Sequence, residues 1–171
     1  YGMDLSIKEL DLISYAKQRG CKIVIDLTQC IFSNQHIDEA DYYVGSYRKW
    51  YQVPDGGFLW SRESVDVETP APNNHFVSLQ TDAMYLRGEY FQNQDEHIKQ
   101  ISIRLNKLAV GSVVFNISPH KMADISSRLM DEIDMNQVQN QRILNFKYLL
   151  HNIKSPNIEL LCNDMSRVTT A

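Results

Sequence analysis

Hydrophobic positions in residues 5–20, LSIKELDLISYAKQRG, follow a helical period, with Leu10, Ile13 and Lys17 near one stripe. Asp4 or Ser6 is suited to cap this helix, and Gly20 sits where a helix stops. CKIVID then drops the helical period for a short β-branched run ending on Asp26, the pattern of a strand buried on both faces. DEADYYVGS predicts a second strand around residues 42–44. After a Pro54-Asp55-Gly56-Gly57 turn, GFLWS predicts a third. A helix followed by short buried strands predicts an α/β layer with a mainly parallel sheet.

The second half is helical in pattern. Residues 82–109 read as one long helix, with Ile98, Ile101, Leu105 and Leu108 spaced by threes and fours. Ser118-Pro119 suits a helix start, with serine as cap and proline in the first turn. Asp134 and Gln137 resemble a capping box opening a last helix, whose inner face carries Ile143, Phe146, Leu150 and Ile153. IELLC near the end reads as a strand, and ETPAPNN (68–74) as a linker.

Composition narrows the class. With 171 residues, of which 43% are hydrophobic, the chain has material for a real core, either as one domain or as a domain plus part of another. A net charge of -4 and a pI near 5.7 argue against a nucleic-acid binder, which needs a basic face. No run reaches the roughly 18–20 apolar residues of a membrane span. The three cysteines (Cys21, Cys30, Cys162) lack metal-type spacing, and YGMDLSIKEL carries no secretory pattern. The expectation is a cytoplasmic protein with no membrane or nucleic-acid partner. The opening Tyr-Gly and the closing SRVTTA, straight after a lone predicted strand, suggest a piece of a longer protein.

Four residues carry the candidate chemistry. Asp26 ends a predicted parallel strand, where open α/β sheets place ligands, although an Asp there also caps turns. Gln29 follows three residues later and, taken alone, suits a backbone-satisfying role equally well. Ser46 and Lys49 form Ser-x-x-Lys, a pattern that acyl-transfer enzymes also use, but with further Ser/Lys elements absent here. Lys49 beside Tyr47, Trp50 and Tyr51 has a plainer reading, a surface cation over an aromatic ring. No glycine-rich phosphate loop is found, and the five histidines show no ligand spacing. Taken together, the four residues and the Gly56-Gly57 turn suit pyridoxal 5'-phosphate. That cofactor needs a lysine for its aldehyde and a carboxylate for its ring nitrogen. A lysine is a poor nucleophile at neutral pH, so the aromatics and Arg48 are expected to keep the Lys49 amine dry and less basic.

IDLTQ followed by GSYRKWYQVPDGG resembles the fold type I pyridoxal-phosphate enzymes, the aspartate aminotransferase superfamily, and within it the DegT-type sugar aminotransferases. Asp26 and Gln29 match the family's Asp-x-x-Gln strand end, and Lys49 with Asp55-Gly56-Gly57 matches its cofactor lysine and acidic-Gly-Gly turn. Family members usually carry their phosphate serine where this chain has Val44; Ser46 has the spacing of the wider superfamily. The resemblance implies the end of a large cofactor-binding domain over residues 1–70, then interdomain helices and the start of a small α+β domain over 71–171. It also implies Asp26 on the pyridine nitrogen, Gln29 by the ring hydroxyl, Ser46 on the phosphate and Lys49 as the covalent amine. Small-molecule substrates (an amino donor and a nucleotide-linked keto sugar) and a homodimer of the full-length protein are implied too. Rival readings are lyase or dehydratase chemistry on the same scaffold, and a cofactor-free scaffold protein.

Overall fold

The computed structural model describes residues 4–33, 35–66, 68, 70–114, 118–155 and 157–158. Elements follow the order α1 (Ile7–Gln18), β1 (Val24–Asp26), β2 (Tyr42–Ser46), β3 (Gly57–Ser61), α2 (Asn74–Asn93), α3 (Glu96–Val114), α4 (Asp124–Asp131) and α5 (Met135–Asn152). A short 3-10 turn, Tyr47–Lys49, follows β2. The described residues fall into two units. One lies within Tyr1–Ser46, Phe58–Val65 and Ile133–Ala171, the other within Tyr47–Gly57 and Asp66–Glu132.

In the first unit, α1 begins where its sequence predicts. Ser6 accepts from the Glu9 N–H, and the Glu9 carboxylate accepts from the Ser6 N–H at 2.7 Å, closing a reciprocal capping box. Leu10, Ile13 and Lys17 lie on the half-buried stripe. Asp41, at the entrance to β2, ties this helix to the sheet. Its buried carboxylate takes Lys17 Nζ at 2.6 Å, the Ile23 N–H at 2.8 Å and Lys22 Nζ at 3.4 Å.

These bonds, led by Lys17 and then the Ile23 N–H, hold the Asp41 carboxyl down to about 2 against the opposing effect of burial. Its folded pKa is thus below the unfolded one. The stability it contributes is complete above about pH 4 and is lost as pH falls toward about 2. In Asp41→Asn that acid-side decline is expected to flatten, with a lower urea midpoint at neutral pH. Equal pH slopes for the two proteins would remove Asp41 from this role.

The sheet is small and mixed, in the order β1-β2-β3. β1 and β2 run parallel, with Val24 opposite Tyr42 and Asp26 opposite Val44. β2 and β3 run antiparallel, since backbone bonds join Tyr47 to Gly56 at one end and Arg62 to Asp41 at the other. The α/β class holds, but a mainly parallel sheet is not what these strands form. Ten residues between β2 and β3 suffice for an antiparallel return, whereas a parallel one needs a crossover. β1 is also not buried on both faces: Val24 is 57% exposed on this edge strand.

In the second unit, α2 and α3 form an antiparallel pair joined by Gln80 to Asn106 at 3.0 Å and by the Ser102 hydroxyl to the Ala83 carbonyl at 2.8 Å. Phe76, Val77, Ala109 and Ala123 form its core, with Leu79 and Val113 packed against them. The predicted single helix over 82–109 is two helices. Gln94 turns left-handed (φ 55°) after α2, and the Asp95 carboxylate accepts from the His97 N–H at 2.8 Å to start α3. The linker reading also yields at its end, because the Asn73 side chain caps α2. Ser118-Pro119 does not open a helix. The chain beyond it pairs with residues 70–71, through the Lys121 N–H to Pro70 O and His120 Nδ1 to Ala71 O, and α4 begins only at Asp124.

α5, described with the first unit, starts at the predicted cap: the Asp134 carboxylate accepts from the Asn136 and Gln137 N–H groups. Ile143, Phe146, Leu150 and Ile153 are half-buried, whereas Leu144 and Tyr148 are exposed. Of the predicted IELLC strand, all but Ile158 lies outside the described residues.

Candidate functional site

Side chains directly opposite in a parallel pair share a face, and side chains alternate along each strand. The β1–β2 register therefore puts Asp26, Val44 and Ser46 on one face of the sheet, at the carboxyl ends of adjacent strands. This face is open at Val24, on the same side. Tyr43, Phe58 and Trp60 instead line a groove of about 440 Å³, with Leu27, Ser33, Gln35 and His36. Trp60 and Tyr43 meet edge-on at 5.4 Å.

Asp26 is exposed and accepts from the Thr28 N–H at 2.8 Å, the turn-capping geometry open to any strand-end aspartate. Hydrogen bonds from Thr28, first its side chain and then its backbone, lower the Asp26 carboxyl from an ordinary value that already leaves it ionised at neutral pH. Gln29 is exposed on the turn closed by the Cys30 N–H to the Leu27 carbonyl. Ser46 is half-buried at the end of β2. Its predecessor Gly45 has room for no side chain, because a Cβ there would meet the Phe58 ring at 2.5 Å. Asp26, Gln29 and Ser46 thus belong to the sheet-bearing unit.

Lys49 belongs to the other unit, as the last residue of the 3-10 turn. Its loop is tightly built. The Trp50 and Tyr51 N–H groups bond the Tyr47 carbonyl at 2.9 and 2.8 Å, the Tyr47 N–H bonds Gly56 O at 3.2 Å, and Trp50, Val53 and Pro54 are buried. The expected drying of Lys49 by its aromatic neighbours does not occur among the described residues. Trp50 turns inward, Tyr47 and Tyr51 pair edge-to-face at 5.6 Å, and Lys49 is exposed. Arg48 lies over the Phe76 ring at 5.2 Å.

Asp55 was legible only as part of a turn, yet it does structural work at long range. Its carboxylate accepts from the Ala123 N–H at 3.0 Å and from the Ser126 hydroxyl, capping α4 from 68 residues away. No local sequence signal encodes such a bond. Among the described residues no group of three or more His, Cys, Asp or Glu could hold a metal ion, and no helix is long and apolar enough to cross a membrane.

No family model matches the chain, and no solved structure does. A 70-residue stretch, 41% of the chain, is 37% identical to a methionine--tRNA ligase of Halalkalibacterium halodurans. The match spans 10% of that ligase.

Proposed function

We propose that this chain is a segment of a pyridoxal-phosphate-dependent aminotransferase of DegT type, covering the end of the large domain (1–70) and the start of the small one (71–171). The observation that carries this reading is the placement of Asp26 and Ser46 on one face at the carboxyl ends of parallel strands, with Lys49 three residues further along the chain. The donor set suits the cofactor: a carboxylate for a cationic ring nitrogen, an amide for a ring hydroxyl, a hydroxyl for a phosphate and an amine for an aldehyde. When bound, the cofactor supplies an electron sink for the charge left at the substrate Cα.

The chain's own residues do the rest. Asp26 would hold the proton on the ring nitrogen, Gln29 would lie by the ring hydroxyl, and Ser46 would hold the phosphate end. Lys49 Nζ would bind the aldehyde and carry the proton between the substrate Cα and the cofactor carbon. An amino acid serves as donor and a nucleotide-linked keto sugar as acceptor, in a cytoplasmic homodimer. The reaction type is tested by supplying full-length protein with pyridoxal phosphate and an amino acid. One keto acid per amino group transferred is expected. Release of ammonia or loss of water from the donor instead would favour the lyase or dehydratase reading.

A second reading, a cofactor-free protein on the same scaffold, is favoured by the capping of Thr28 by Asp26 and the exposure of Lys49. It predicts that full-length protein takes up no pyridoxal phosphate. The ligase resemblance spans too small a share of that protein to bring its activity here.

A further inference from the structure

Resting on the reading of Lys49 as the aldehyde-binding amine, we propose that Asp55 is its positioning residue, latching the lysine loop to the start of α4. Helix α4 has Ala123 at its N-cap, a residue with no side-chain acceptor. Asp55 binds this end of the helix from outside it. One carboxylate oxygen accepts from the Ala123 N–H at 3.0 Å, and the other accepts from the hydroxyl of Ser126, which is fully buried. A negative charge at a helix N-terminus is also favoured by the helix dipole.

The latch acts on the loop that carries Lys49. Asp55 lies between the fully buried Pro54 and Gly56, whose carbonyl receives the Tyr47 N–H at 3.2 Å. That bond closes the loop two residues before Lys49, and the Trp50 and Tyr51 N–H groups then fold the turn around it. Freeing Asp55 releases the closing end of this loop while leaving the Lys49 side chain untouched. Lys49 then keeps its amine but loses its fixed approach to an aldehyde.

The test uses full-length protein, pyridoxal phosphate and borohydride. The lysine amine condenses with the aldehyde, losing water, and hydride reduces the C=N bond to a stable secondary amine located by peptide mapping. In Asp55→Ala the rate of labelling at Lys49 is expected to fall on the order of tenfold to a hundredfold, the effect of a displaced reacting group. Asp55→Asn should recover most of the rate, because its amide accepts from the Ala123 N–H and donates to the Ser126 hydroxyl. Gln80→Ala, which loosens the α2–α3 pair in the same unit, should lower the unfolding midpoint and leave labelling unchanged. Should Asp55→Ala fail to fold, Ser126→Ala, which removes one of the two donors, should show a smaller slowing. Wild-type labelling rates in Asp55→Ala or, failing that, in Ser126→Ala would overturn the positioning role alone, as would equal slowing in Gln80→Ala. Absence of label at Lys49 in the wild type would overturn the underlying reading and the latch with it.

Discussion

Gly56→Ala is expected to destabilise the protein by about 1–3 kcal/mol from backbone strain and by about 1–3 kcal/mol more from overpacking. Gly56 has φ +111°, a conformation that residues with a Cβ rarely adopt. An added Cβ would also meet Met122 Cγ at 3.0 Å, with its Sδ closer still, and Tyr47 Cδ2 at 3.3 Å. The Met122 thioether is flexible and can yield, which lowers the overpacking contribution and leaves the backbone one unchanged. Urea unfolding separates them. Adding Met122→Ala to Gly56→Ala should remove the Met122 clash and leave the backbone strain and the tight Tyr47 contact. An unchanged midpoint in Gly56→Ala would contradict the observed turn.

Asp26→Asn in full-length protein is expected to retain cofactor and to lose turnover by ~10²–10³-fold, the scale of removing one preorganised electrostatic partner. An exposed aspartate is ionised at neutral pH and Thr28 lowers its pKa further, so the carboxylate would offer a full charge to a protonated ring nitrogen. Asparagine can still accept from the Thr28 N–H, so the turn survives, but a neutral amide cannot hold the ring proton. Cofactor absorbance and keto-acid release from an amino donor measure the two effects separately. Full turnover in the variant would remove Asp26 from the site.

What the sequence made legible was local. The Ser6 cap, offered alongside Asp4, the Asp134 cap, the strand bounded by Gly57 and Ser61 and the stop near Gly20 are each encoded within a few residues, and each is found. Features set by distant partners were not legible. The bend at Gln94 gives α2 and α3 faces to bury against each other, His120 and Lys121 after Ser118-Pro119 bond the carbonyls of Ala71 and Pro70, and Asp41 and Asp55 bind donors far along the chain. The periodic stripe over 82–109 was real at Ile98, Ile101 and Leu105. Leu108 is exposed, however, and Ala109, four residues after Leu105 in the same helix, takes the buried position, as the 3.6-residue period allows.

The candidate site divides in the same way. The β1–β2 register brings Asp26 and Ser46 to one face, and the strands that carry them, though not that register, followed from the pattern. The surroundings of Lys49 did not, because aromatic neighbours in sequence pack where the core draws them. Trp50 is buried, and Tyr47 and Tyr51 satisfy each other.

The most direct test is covalent. Full-length protein incubated with pyridoxal phosphate, reduced with borohydride and digested should carry the label on the peptide containing Lys49, and Lys49→Ala should lose it. No label in the wild type, or the same label in Lys49→Ala, would contradict the assignment.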